Sequence, residues 1–197
     1  MASDPVRVLL HVAEILERIG TPYFLGGSLA SSLLGEPRST VDVDLAIVLR
    51  SADVGALVAA LAPEFYVDES AVRSAVERRS SFNAIHQPTV LKVDFFVLGD
   101  APFDRVQLER RRLSAALDES DRRVFSSSPE DLILRKLDWY RHGGGVSDRQ
   151  WRDVLGVLKV QAERLDLAHL HQWAAVLGLT EVLERAVSES GILSRPI

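Results

Sequence analysis

The stretch STVDVDLAIVL, residues 39–49, sets two carboxylates, Asp42 and Asp44, into a run of valine, leucine and isoleucine. In a strand, residues two apart point to the same side, so both aspartates would share one face while Val41, Val43 and Leu45 take the other. Carboxylates held side by side repel, and each raises the other's pKa unless a cation neutralises them. A divalent ion such as Mg²⁺, or Mn²⁺, is the economical solution, because it takes hard oxygen ligands and is commonly bound by one or two carboxylates together with substrate phosphates. A third carboxylate follows in VLKVDFFVL, residues 90–98, where Asp94 sits between Val93 and Phe95 in a second apolar run. If the two strands are neighbours, three carboxylates converge, and metals roughly 3.5–4 Å apart can stabilise the attacking and leaving oxygens of an in-line phosphoryl displacement. Asp94 is the candidate to accept the proton of an attacking hydroxyl. Upstream, Gly26-Gly27-Ser28 follows a short apolar run. Glycines admit a phosphate close to the backbone, and a helix opening at once behind them offers it unpaired N–H groups, with the Ser28 hydroxyl as a further donor.

The elements that must position these residues can be read from periodicity. Apolar residues from Val6 to Ile19 form a helical stripe. Residues 22–25 read as a short strand, Gly26-Gly27-Ser28 as its turn into a helix reaching Leu34, and 41–49 as a strand. A helix from Ser51 to just before Pro63, a short strand at 65–67 and a helix at 71–78 follow. Residues 81–86 and 90–98 read as a hairpin turning at Gln87-Pro88-Thr89. From Ser128 the period becomes helical throughout. Ser128 is an N-cap with Pro129 at the first helical position, and Gly143-Gly144-Gly145 ends that helix. Ser147 and Gln150 read as a capping box opening a helix over 148–161, and two more are expected at 167–177 and 180–190. The chain is therefore divided near residue 126 into an α/β part, 1–126, and a helical part, 127–197.

Composition bounds the rest. With no cysteine among 197 residues, disulfides and thiolate metal sites are excluded, and any metal must rest on oxygen or imidazole. The five histidines show no zinc spacing, and the three tryptophans are expected to pack the helical part. No apolar run approaches the roughly 20 residues of a membrane span, and no signal peptide is apparent, so a cytoplasmic protein without membrane partners is expected. A net charge of −5 argues against a general nucleic-acid coat protein. Arginines nevertheless cluster at 78–79, 110–112 and 122–123, with Arg135, Lys136 and Arg141 beyond.

The ordered set Leu25-Gly26-Gly27-Ser28, Asp42-Val43-Asp44-Leu45 and Asp94 resembles the nucleotidyltransferase superfamily with the polymerase-β-type fold, its gap at the long end of the family range. The resemblance implies an α/β (α+β) architecture with a mixed twisted sheet, flanking helices and a C-terminal helical lobe. GGSLASSLLGEPRSTVDVDLAI, together with PEDLILRKLDWYR and SDRQWRDVLGVL, is more narrowly similar to the AbiEii-type and MenT nucleotidyltransferase toxins of bacterial toxin–antitoxin pairs. That family transfers a nucleoside monophosphate from an NTP to an acceptor, the tRNA 3′ end in the MenT branch. The resemblance implies an antitoxin partner and active-site roles for Lys136 and Asp153.

Read from its chemistry, Lys136 suits a cation stabilising charge as pyrophosphate leaves. Asp153 would either orient Lys136 by an ion pair or pair with Arg149 on its own helix. Arg38 is either a phosphate ligand or a loop arginine. Metal ligands are thus expected at Asp42, Asp44 and Asp94, and nucleotide contacts at Gly26, Gly27, Ser28, Arg38 and Lys136. Two rivals stand beside this reading: an aminoglycoside-type antibiotic nucleotidyltransferase, which a net charge of −5 permits but the arginine clusters disfavour, and a catalytically silent binding module.

Overall fold

The structure, a computed structural model, describes residues 4–115 and 122–192. Two compact units emerge, and they are not two halves of the chain: one comprises Met1–Leu29 and Thr40–Ser127, the other Ala30–Ser39 and Ser128–Ile197.

The first unit is built on a seven-stranded mixed sheet. Its strands are β1 (Tyr23–Leu25), β2 (Val43–Ile47), β3 (Phe65–Val67), β4 (Ser81–His86), β5 (Leu91–Val97), β6 (Arg112–Ala115) and β7 (Arg123–Ser126), in the order β3-β4-β5-β2-β1-β7-β6. β2 runs parallel to β5 and β1 parallel to β7, and the other pairs are antiparallel. The period-two pattern of β5 sends Val93, Phe95 and Val97 inward while Asp94 and Phe96 lie on the partly open face. Val43, Leu45 and Ile47 of β2 are fully buried on the same inner side. Helix α1 (Asp4–Arg18) lays its stripe of Val8, Leu9, Val12, Ile15 and Leu16 into this core and packs against β2. Helices α3 (Val54–Leu61) and α4 (Glu69–Arg78) complete the layer, α4 capped by Asp68, whose carboxylate accepts from the Ser70 and Ala71 amides.

Residues 102–126, given no element by periodicity, hold helix α5 (Pro102–Arg110) and the strand pair β6–β7. Asp104, which looks like a turn residue, lies in α5 and accepts from the Gly99 amide. β2 is shorter than the 41–49 run suggests, leaving Asp42 one residue before it.

The second unit is helical: α6 (Pro129–His142), α7 (Asp148–Gln161), α8 (Leu167–Leu177) and α9 (Thr180–Ser190), with the later part of α2 (Gly27–Leu34). The Ser128 hydroxyl accepts from the Asp131 amide and so caps α6, and Pro129 occupies its first turn. The Ser147 hydroxyl likewise accepts from the Gln150 amide. Gly178, at φ 68, closes α8 in the left-handed region that its missing Cβ permits. Trp151 packs against Tyr140 under the Arg185 guanidinium, tying α7 to α6 and α9. Among the described residues no helix is long and apolar enough to cross a membrane.

Candidate active site

The ladder between β2 and β5 decides where the carboxylates go. Its rungs pair Val43 with Val93, Asp44 with Asp94 and Leu45 with Phe95, so the two aspartates stand opposite each other on adjacent central strands. Neighbouring strands lie about 4.8 Å apart, which brings these side chains together on one face. Asp42 stands two residues before Asp44, one residue outside β2. Lys92 precedes Asp94 by two residues on β5 and shares its face.

Lys92 is the residue that the sequence reading passed over. Its Nζ lies 2.7 Å from Asp94 Oδ2. The hydrogen bond to Asp94 lifts its pKa above that of an ordinary lysine, slight desolvation opposes the rise, and the charges of Asp94, Asp42 and Asp44 add to it. A period-two reading would have found it, since a residue two before Asp94 in a strand must share its face.

Asp44 is held from the other side by the turn after β1. The Gly26 amide donates to the Asp44 carbonyl at 2.8 Å, which carries the strand pairing into the turn. The Ser28 amide donates to Asp44 Oδ2 at 3.4 Å. Gly27 has φ 58, and a Cβ built there would lie 1.8 Å from Asp44 Oδ2. The glycine thus serves two needs at one position, a left-handed backbone and the space for a carboxylate lying against the start of α2. Negative charge is favoured there, because the first turn of a helix presents unpaired N–H groups.

These residues test whether a divalent metal fits. Among the described residues no three acidic or histidine side chains are grouped so as to hold an ion; Asp94 accepts from Lys92 and Asp44 from the Ser28 amide. The donor type suits a hard cation: the Asp44 and Asp94 carboxylates stand opposite each other on β2 and β5, with Asp42 two residues before Asp44.

The second unit gathers the remaining candidates. Asp153, 7% exposed, accepts from Arg38 Nε at 2.7 Å and Nη2 at 2.9 Å, a two-pronged guanidinium pair. It also accepts from Lys136 Nζ at 2.7 Å. Burial pushes the Asp153 carboxyl up, but the hydrogen bonds and charges of Arg38 and Lys136 outweigh it and hold the group below the ordinary carboxylate range. Lys136 is 4% exposed, so it is no ordinary surface lysine. Its Nζ also donates to Gln150 Oε1 at 3.0 Å, so the Gln150 side chain joins the network of Lys136. Of the two partners open to Asp153, Lys136 is the one realised, and Arg38 joins it.

Arg38 reaches Asp153 because its loop lies directly on α7. A Cβ at Gly35 would come within 2.8 Å of the Val157 amide nitrogen, and one at Gly156 within 3.2 Å of the Glu36 nitrogen. Two glycines therefore permit this backbone approach. A cavity of about 340 Å³ opens beside the pair, lined by Arg38, Arg149, Arg152, Asp153 and Glu36 among others.

No family model matches the chain, and no curated protein matches it. Solved structures do. An antigenic nucleotidyltransferase-like protein from Paracoccidioides brasiliensis superposes with a TM-score of 0.58 at 18% identity, over 95% of this chain and 94% of that one. The antibiotic-resistance factor ANT(2'')-Ia in solution gives a TM-score of 0.57 at 17% identity, covering 89% of this chain and 96% of its own. The chain has a nucleotidyltransferase fold. The lincosamide antibiotic adenylyltransferase LnuA, solved with lincomycin bound, shares this fold with a TM-score of 0.52 at 13% identity, over 78% of this chain and 96% of that one. At such identities the likeness concerns the path of the backbone, and the chemistry must be argued from the residues.

Proposed function

We propose that this protein is a metal-dependent nucleotidyltransferase that moves a nucleoside monophosphate from an NTP to an acceptor hydroxyl and releases pyrophosphate. The observation that carries the reading is the Asp44–Asp94 rung on a nucleotidyltransferase fold, with Asp42 two residues before Asp44 and the Gly27-Ser28 turn against Asp44. Asp42, Asp44 and Asp94 would hold Mg²⁺ or Mn²⁺, which when bound neutralises charge on the reacting phosphates. Asp94 takes the proton of the acceptor hydroxyl, whose oxygen then attacks the α-phosphorus. Gly26 and Gly27 leave room for the phosphates, and the amide and hydroxyl of Ser28 donate to them. Lys136 and Arg38, both anchored by Asp153, are assigned to the nucleotide phosphates on the strength of the family resemblance in the sequence.

For the acceptor we favour the tRNA 3′ end, with the protein as the toxin of a toxin–antitoxin pair. Arg149 and Arg152 beside the cavity at Asp153 suit an acceptor that carries phosphodiesters. The arginines at 110–112 and 122–123 support it less than their clustering suggests. Arg111 donates to the Leu108 carbonyl and stacks on Phe125, and Arg122 pairs with Glu14. A second reading, a small antibiotic as acceptor, is favoured by the fold neighbours, among them ANT(2'')-Ia in complex with adenylyl-2''-tobramycin.

One experiment separates the two. Purified protein is given Mg²⁺ and each α-³²P-labelled NTP, with total tRNA in one arm and a panel of aminoglycosides and lincosamides in the other. Label in tRNA, weakening steeply with added salt, supports the first reading. Label on an antibiotic with tRNA unlabelled replaces it with the second.

A further inference from the structure

We propose that Lys92 is a tethered counter-ion that occupies the carboxylate face while no metal is bound and must leave Asp94 for a divalent cation to enter, so that it sets the metal concentration at which the site fills. The inference rests on the reading of Asp42, Asp44 and Asp94 as metal ligands. It concerns a residue to which that reading gives no part.

The geometry is that of a built-in competitor. Lys92 and Asp94 alternate on β5 and share a face, and the Lys92 ammonium sits 2.7 Å from Asp94 Oδ2. The parallel register sets Asp44 against Asp94, and Asp42 stands one residue before β2. The Lys92 ammonium is in direct contact with the Asp94 carboxylate of this group. Carboxylates facing each other on adjacent central strands repel, and a neighbouring ammonium offsets that repulsion. Lys92 also has the freedom to withdraw. Its side chain is 49% exposed, against 5% for Lys136, and its four-carbon stem can carry the ammonium into water. Lys136 is a fixed cation and Lys92 a displaceable one. A strand lysine that merely solvated a sheet edge would stand on an outer strand, whereas β5 lies between β4 and β2.

The test measures metal binding directly, without turnover. Mn²⁺ is titrated into wild type, Lys92→Met, Lys92→Gln, Lys92→Arg and Asp42→Asn, free Mn²⁺ is followed by its electron paramagnetic resonance signal, and folding is checked by circular dichroism. Removing a unit charge a few ångström from the ion should tighten binding about tenfold in Lys92→Met and Lys92→Gln. Lys92→Arg keeps the charge and should stay near wild type, while Asp42→Asn should bind weakly. Unchanged or weaker binding in both neutral variants, with Asp42-dependent binding in wild type, overturns the role of Lys92 and leaves the proposed chemistry standing. No Mn²⁺ binding in wild type or in either neutral variant overturns both.

Discussion

Asp153→Ala exposes the energetics of the second unit most sharply. The wild-type carboxylate accepts three charged hydrogen bonds, two from Arg38 and one from Lys136. Arg38 is 28% exposed along its side chain and can turn to water, but the Lys136 side chain is only 5% exposed and cannot. Alanine therefore takes from a buried ammonium the carboxylate it pairs with at 2.7 Å. Breaking a buried pair in this way costs about 3–5 kcal/mol. For a chain of this size each kcal/mol lowers the melting temperature by roughly 2–4 °C, so a fall of roughly 6–20 °C is expected by circular dichroism at neutral pH. Because the cost lies in a buried charge without its carboxylate, Lys136→Met in the same background should recover more than half of it, and a double-mutant cycle reads the coupling. A loss under about 1 kcal/mol, or a double variant as unstable as the single one, would refute the account of Asp153 as the anchor of a buried cation.

Acid should act on the same carboxylate. Its folded pKa is depressed, so its contribution is complete above the unfolded value of about 3.9 and disappears as pH falls through the lower folded value. Acid unfolding below about pH 4 should therefore be steeper in wild type than in Asp153→Asn. Gly27→Ala should cost more than about 1 kcal/mol, since φ 58 disfavours any side chain and the new Cβ meets the Asp44 carboxylate. Urea unfolding measures that cost, and adding Asp44→Ala should relieve it only in part, because the Cβ at position 44 itself would lie 2.6 Å from the new one. Asp131 is fully buried, accepts from the Ser128 hydroxyl at 2.7 Å and faces His169 Nε2 at 2.7 Å. Asp131→Ala should cost about 2–4 kcal/mol by urea unfolding, because it leaves both partners unsatisfied at a helix start.

Much of the fold could be read from local pattern, and what could not has physical reasons. The helices from Ser128 onward announce themselves through Ser128, Pro129 and Ser147 at their starts and Gly178 at an end, all consequences of unpaired backbone groups at helix termini. β2, β4 and β5 show in their alternation. The stretch 102–126 did not, because α5 has almost no amphipathic stripe and β6, the exposed edge strand, is short and polar. Asp42, Asp44 and Asp94 stood out as charges in apolar strands, but register is a long-range property, and the pairing of Asp44 with Asp94 appears only in the sheet. Lys92 was hidden by the ordinary expectation that lysines face solvent, although its spacing from Asp94 carried the signal. The bond from Arg38 to Asp153 spans 115 residues and depends on two glycines that let a loop lie on a helix, which no window of sequence reveals.

If the carboxylates of Asp42, Asp44 and Asp94 serve nucleotidyl transfer, a nucleotide and not a phosphoryl group moves to the acceptor. ATP labelled on the α-phosphate and, in parallel, on the γ-phosphate, then GTP, CTP and UTP likewise, would be incubated with the protein, Mg²⁺ and a pool of tRNA and antibiotics. Wild type and Asp94→Asn would be compared. Nucleotidyl transfer should give α-label on an acceptor, γ-label released only as pyrophosphate, and loss of transfer by a factor of about 10² or more in Asp94→Asn with nucleotide still bound. Transfer of the γ-label, or equal α-transfer by the Asp94→Asn variant, would contradict it.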